Sequence, residues 1–158
     1  LRMRPDRILV GEVRGGEARD MVQAMLSGHT GSLTTVHANS ARDALIRLET
    51  LSLMSDVELP VYVARAQVAS AIQLIVQLSR FSADGSRRIT KISEVLGLDA
   101  NNQYQWRDLF ALSMLGVDAH GRLLGNLEPT GNKPSFAAEI KEQGLAERVL
   151  HSAPLWEL

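Results

Sequence analysis

The chain has 158 residues, 45% of them hydrophobic and 22% charged, enough for one ordinary globular domain with a real core. A formal net charge of −1 removes any bulk electrostatic case for binding nucleic acid or an anionic membrane. The absence of cysteine excludes a disulfide framework and a thiolate metal site, and no apolar run approaches the roughly 20 residues of a membrane-spanning helix.

The sequence begins Leu1-Arg2-Met3-Arg4-Pro5-Asp6, without an initiator Met, and enters a strand almost at once. It therefore reads as a piece of a longer chain whose N-terminal part is missing. Pro5-Asp6 predicts a turn into a strand over 7–13. The apolar residues there are consecutive rather than alternating, the pattern of a strand buried on both faces. Gly15-Gly16 breaks the run. A helix is expected over 17–27, with Ala18, Met21, Val22, Met25 and Leu26 at helical spacing and Gly28 as its stop. Glu17 and Asp20 fall in its first turn, where they suit the helix dipole.

A second strand is predicted over 33–37, favoured by the β-branched Thr34, Thr35 and Val36. Ser40 with Asp43 three residues on resembles a capping box, and Ala41, Ala44, Leu45, Leu48 and Leu51 give the following helix one apolar face. Residues 7–54 thus read strand, helix, strand, helix, which makes the two strands parallel. Polar and ionisable residues follow both strands: Glu12 and Arg14 after the first, His37 and Asn39 after the second. Open α/β sheets receive ligands at this edge.

Pro60 opens a helix to about residue 70, and 72–78 alternates as a strand. Asp84-Gly85 predicts a hairpin turn, with a returning strand over 87–96 that is irregular enough to hold a bulge. Residues 103–112 fit a strand or a short helix. A turn at 118–121, a short strand over 122–127, a loop around Pro129, Gly131 and Pro134, a helix over 135–143 and a last short helix near 145–151 complete the reading.

Each candidate residue has a plainer alternative. Glu12 ends an apolar strand, where a carboxylate can order the water shell of a nucleotide-bound Mg²⁺; equally it can be a solvated carboxylate paired with Arg14. His37 can sense a γ-phosphate or simply cap its loop. His29, between glycines, can touch a ligand or a neighbouring subunit, or be a loop histidine. Arg14 and Arg4 can meet phosphate or lie in surface ion pairs. Arg87-Arg88 reads as the solvated face of a hairpin, and His120 and His151 receive no role. The sequence contains no His/Asp/Glu cluster at metal-site spacing, no Gly-x-Ser-x-Gly elbow and no Gly-x-x-x-x-Gly-Lys-Ser/Thr phosphate loop.

The segment Met3-Arg4-Pro5-Asp6-Arg7-Ile8-Leu9-Val10-Gly11-Glu12-Val13-Arg14-Gly15-Gly16-Glu17-Ala18 resembles the Walker B segment of type II/IV secretion ATPases. Gly28-His29-Thr30-Gly31-Ser32-Leu33-Thr34-Thr35-Val36-His37-Ala38-Asn39-Ser40-Ala41 resembles their His box, in the family's order. The run over 84–95 and the loop Pro129-Thr130-Gly131 with Pro134-Ser135-Phe136 resemble the tight-adherence (Tad/Flp) pilus branch, the CpaF/TadA-like ATPases.

That resemblance implies an α/β fold: the C-terminal part of a RecA-like P-loop NTPase domain over 1–96, lacking the P-loop strand, with a small α+β appendage over 97–158. It implies a hexameric ATPase on the cytoplasmic side of the inner membrane that uses ATP and Mg²⁺ to power pilin assembly or protein export with membrane platform proteins, and no nucleic acid partner. Glu12 and His37 would be catalytic, Glu12 meeting the metal through water. Arg14, His29, Thr35 and Asn39 would support the nucleotide pocket. Without the phosphate loop the chain alone is expected to be inactive. Its sheet is expected to lack a central strand between 33–37 and 72–80, so that it is stable only if it rearranges, pairs with another copy or was cut from a larger folded chain. The alternatives are a non-catalytic contact module over 97–158 presenting Trp106, Phe110 and Leu112, an ATPase of a conjugative or effector type IV system, and a DNA motor of the same fold.

Overall fold

The computed structural model describes residues 5–145 and 147–148; Arg4, His151 and most of the last expected helix lie outside the described residues. Two compact units are distinguished. One holds the described residues through Ile75 together with Val95–Trp106, and the other holds Val76–Glu94 and the described residues from Arg107 onward.

In the first unit the elements are β1 (Leu9–Val10), α1 (Glu17–Leu26), β2 (Leu33–Thr34), α2 (Ala41–Leu53) and α3 (Val61–Ala71). β1 and β2 pair in parallel, Leu9 against Leu33 and Val10 against Thr34, as the single helical crossover requires. Both strands are shorter than the expected 7–13 and 33–37. The ladder continues only as isolated bonds, from Leu33 N–H to Ile8 O (3.0 Å) and from Val13 N–H to Thr35 O (3.1 Å).

The expectation of burial on both faces fails. Leu9 is 74% exposed and Leu33 65% exposed. Val10 and Val36 pack on a core built by Val13, Met21, Val22, Leu45, Leu48 and Val68, so the helices cover one face only. Nothing among the described residues covers the other.

The helix limits follow local chemistry. Ser40 Oγ accepts the N–H of Asp43 at 3.1 Å and starts α2. Gly28 at φ +100° ends α1, a conformation an L side chain resists. Pro60 stands at the N-cap of α3 rather than in its first turn, extended at ψ 140°.

A polar knot fixes α2 to α3. Glu49, only 6% exposed, receives two parallel bonds from Arg65, Nε at 2.8 Å and Nη2 at 2.9 Å. The Tyr104 hydroxyl donates to the same carboxylate at 3.0 Å, and Arg65 also donates to Asn102 O. Burial first, and then the hydrogen bond to Glu49 and its charge, drive the Tyr104 hydroxyl well above the usual phenol range. No motif in the sequence marks Glu49 for this knot.

Beyond α3 the chain forms an antiparallel sheet, β3 (Leu74–Arg80), β4 (Arg87–Leu98), β5 (Tyr104–Val117) and β6 (Leu123–Pro129), in the order β3-β4-β5-β6. The ambiguous 103–112 stretch is strand, and longer than expected. The irregularity expected in β4 appears where Ser93 and Glu94 are both buried and break the alternation. β5 pairs with β6 from Phe110 opposite Pro129 to Val117 opposite Leu123, with a slip between Met114 and Gly116. No described strand joins β2 to β3: the two sheets are separate.

The β3–β4 turn is built around Asp84, which accepts from Ser86 N–H and Leu123 N–H, both at 2.9 Å. Arg88 lies 3.7 Å from Asp84 and donates to Leu123 O, so it is not the solvated hairpin arginine expected. Buried Glu94 is held by Arg107 Nε at 2.9 Å and by Ser135 N–H, just before the short helix α4 (Ala137–Glu142). No described helix is long and apolar enough to cross a membrane.

Two predictions follow from these contacts. Ser86 foremost, then Leu123, hold the Asp84 carboxyl at about 2, below its ordinary 3.8. A depressed carboxyl stabilises the fold above its unfolded value and loses that contribution as pH falls toward the folded value. Asp84→Asn should therefore flatten the stability-versus-pH curve between about 4 and 2, read by denaturant unfolding at stepped pH. Glu49→Ala strands Arg65 and Tyr104 without their acceptor. It should cost about 3 kcal/mol, the lower end for breaking a buried pair, because Arg65 is partly wet.

Candidate functional site

In an unbroken β1–β2 register, Leu9 opposite Leu33 would make Glu12 N–H the donor to Thr35 O. The donor is instead Val13, one residue later. Ile8 and Val10 lie on the inner side, and strict alternation would send Glu12 inward too. The one-residue slip exchanges faces: Val13 enters the core at 1% exposure and Glu12 goes to the rim, its side chain 23% exposed. The Thr35 hydroxyl donates to Gly11 O at 2.6 Å and ties the end of β2 to this bend.

At the rim, Glu12 Oε2 lies 2.6 Å from the Arg14 guanidinium and Oε1 lies 2.8 Å from His37 Nε2. Arg14 and His37 are largely exposed. The Arg14 hydrogen bond outweighs the burial that opposes it and, with a smaller contribution from His37, holds the Glu12 carboxyl below its usual range. Glu12 raises Arg14 in return.

Glu12 Oε1 is a buried oxygen on which no donor is well aligned, despite the closeness of His37. No described cluster of three His, Asp or Glu residues can hold a metal. Mg²⁺ wants six oxygens, and a single carboxylate already paired with a guanidinium is a poor direct ligand. These residues fit Mg²⁺ only through the metal's own water shell.

The loop between Arg14 and α1 is shaped by Glu17. Its Oε1 accepts Arg14 N–H at 2.7 Å and Gly15 N–H at 3.1 Å, and these bonds hold its carboxyl below the usual range. Gly16 passes so near the end of α2 that a Cβ there would lie 2.9 Å from Ser55 Cα and 3.0 Å from Met54 O. The sequence gives Glu17 to the helix dipole and misses this second use; the available signal is an acid one residue past two glycines.

The structure thus gathers Glu12, Arg14, Thr35 and His37. It does not bring His29 to them. That ring points back at Ala24 O, 3.2 Å from Nδ1, at the far end of α1, a helix about 15 Å long. Asn39 is exposed two residues past His37. A cavity of about 570 Å³ runs along β1 and α1, lined by Ile8, Val10, Met21 and Ala24 among others, and does not include Glu12.

A carboxylate, a histidine and an arginine converging at the carboxyl ends of two parallel strands define the class: an α/β site at the ligand-receiving edge of its sheet. The chain belongs to the type II/IV secretion system protein family, whose model matches residues 1–118. It is 42% identical over 105 residues to the conjugal transfer protein TrbB of Rhizobium radiobacter, covering 66% of this chain and 30% of TrbB. It is 48% identical over 91 residues to the type IV secretion system protein PtlH of Bordetella pertussis, covering 56% of this chain and 26% of PtlH. Among solved structures it resembles the VirB11 ATPase of the Brucella suis type IV secretion system, determined in complex with sulphate. The TM-score is 0.54 at 35% identity, over 58% of this chain and 28% of that one. The fold is therefore that of part of a RecA-like secretion ATPase. The chain spans under a third of the length of these curated relatives.

The close passage of Gly16 is directly testable. Gly16→Ala must move backbone and should cost about 1–3 kcal/mol. Gly11→Ala, with nothing within 4 Å of the new methyl, should stay within about 0.5 kcal/mol. Urea unfolding of the two variants side by side checks the contrast.

Proposed function

We propose that this chain is the Walker B and His box portion of a type IV secretion ATPase of the conjugative or effector-exporting kind, a hexamer that couples hydrolysis of Mg²⁺-bound ATP to transport. The observation that carries this is the convergence of Glu12, Arg14 and His37 at one sheet edge in a chain whose relatives bear conjugal-transfer and type IV secretion names. Glu12 would hold the metal through its water shell, His37 would face the terminal phosphate, and Arg14 would supply charge for phosphate or for a neighbouring subunit. Thr35 holds the bend, and Asn39 follows it two residues past His37. Mg²⁺, when bound, screens the phosphate charge. Residues 1–96 serve the nucleotide and 97–158 the contacts of the assembly, at the cytoplasmic face of the inner membrane beside the platform proteins.

A second reading, a Tad/Flp pilus motor, rests on the resemblance of Asp84-Gly85-Ser86-Arg87-Arg88 and of the Pro129-Thr130-Gly131 loop to that branch. Deleting 97–158 from the full protein and scoring export separately from basal ATP turnover tests the appendage in either reading.

Because these 158 residues contain no phosphate loop, they should show no magnesium-dependent ATP hydrolysis by themselves. In the intact protein Glu12→Gln should lower kcat by at least about 100-fold while ATP still binds, measured by steady-state turnover and nucleotide titration. Unchanged turnover removes Glu12 from the mechanism.

A further inference from the structure

Arg14 is useful at the site only if its guanidinium stays aimed at Glu12, and little near it restricts that side chain. Its side chain is 76% exposed. Its aim is set by its backbone, and the backbone there has left the sheet. Arg14 is followed by two glycines, Gly15 and Gly16, the residue type with the least constrained backbone. The Arg14 and Gly15 N–H groups both turn instead to one oxygen, Glu17 Oε1, at 2.7 and 3.1 Å. The other carboxylate oxygen lies over Gly15, 3.0 Å from where a Cβ would stand, so a side chain at 15 would crowd it.

We infer that Glu17 is a positioning residue for this site, its single oxygen Oε1 clamping the Arg14-Gly15 backbone so that the Arg14 guanidinium stays on Glu12. The inference rests on the reading of Glu12 as the nucleotide-site carboxylate. It goes beyond the dipole role that the sequence assigns to Glu17, and the two roles separate by chemistry. The clamp needs reach and an acceptor oxygen but no charge. The dipole needs charge near the first turn but no particular reach.

In the full-length ATPase, Glu17→Gln keeps an oxygen at the same reach and should retain turnover within about twofold. Glu17→Asp keeps the charge but is one methylene short, and should lower kcat by roughly tenfold, as expected of a misplaced charged group. Glu17→Ala should match the aspartate variant, with KM for ATP within about twofold and circular dichroism unchanged. Because Glu17 acts through Arg14, Arg14→Ala with Glu17→Asp should be no slower than Arg14→Ala alone. An active aspartate variant beside an impaired glutamine variant overturns the clamp in favour of the dipole, and losses that multiply in the double variant overturn the route through Arg14. If the alanine variant fails to fold, the aspartate–glutamine contrast still decides. Glu12→Gln is assayed alongside. Should it keep turnover, the reading of the site falls; should it abolish turnover while the Glu17 series stays flat, only the clamp falls.

Discussion

Val13 is 1% exposed, and its N–H donates to Thr35 O where the regular register would use Glu12. Everything at the rim depends on that substitution of one donor for the next. The core helices α1, α2 and α3 supply an apolar socket, and the socket accepts a valine. A glutamate in the same place would bury an unpaired charge at a cost of several kcal/mol, so the slip is the low-energy solution. Once Val13 is seated, its neighbours Glu12 and Arg14 both point outward, close enough to meet at 2.6 Å. The packing of the core thus selects which residues can do chemistry.

The same one-sided packing leaves Leu9 and Leu33 facing outward. Fully burying a leucine is worth roughly 1.5–3 kcal/mol, so an unfilled face on two adjacent strands forgoes a sizeable part of a domain's net stability. The separation of β1–β2 from β3–β6 has the same character: both edges of β2 cannot be satisfied by the one partner it has. In the proposed intact ATPase these are the places where the remainder of the nucleotide domain belongs. The fold of this piece is set from within, by the Glu49 knot and the helix caps, and its sheet is set from without.

Much of this was legible in residue order. Helix limits at Ser40 and Gly28 and the hairpin at Asp84-Gly85 rest on local chemistry that short spans encode, and all three hold in the structure. The parallel pairing of β1 with β2 follows from connectivity. The pairing of Glu12 with Arg14 was open to view as an alternative, and the approach of His37 follows from the shared sheet edge. What residue order hides is anything set by register or by distant partners. The Val13 slip depends on a socket assembled from three helices. The Glu49–Arg65–Tyr104 contacts span up to 55 positions. Glu17 looked complete as a first-turn acid, so its grip on the Arg14 backbone had no separate signature. His29 shares its motif with His37, yet a helix length divides it from the cluster.

The electrostatics of the cluster narrow what Glu12 can do. A carboxyl held below its usual range by a guanidinium is ionised at neutral pH and is a weak proton acceptor. General-base catalysis is most effective when the acceptor's pKa lies near the working pH, and Arg14 pushes Glu12 the other way. As long as the pair stays closed, Glu12 would, under the proposed function, orient a water rather than take its proton. The backbone clamp inferred at Glu17 matters for the same reason, because it keeps the Arg14 guanidinium on Glu12.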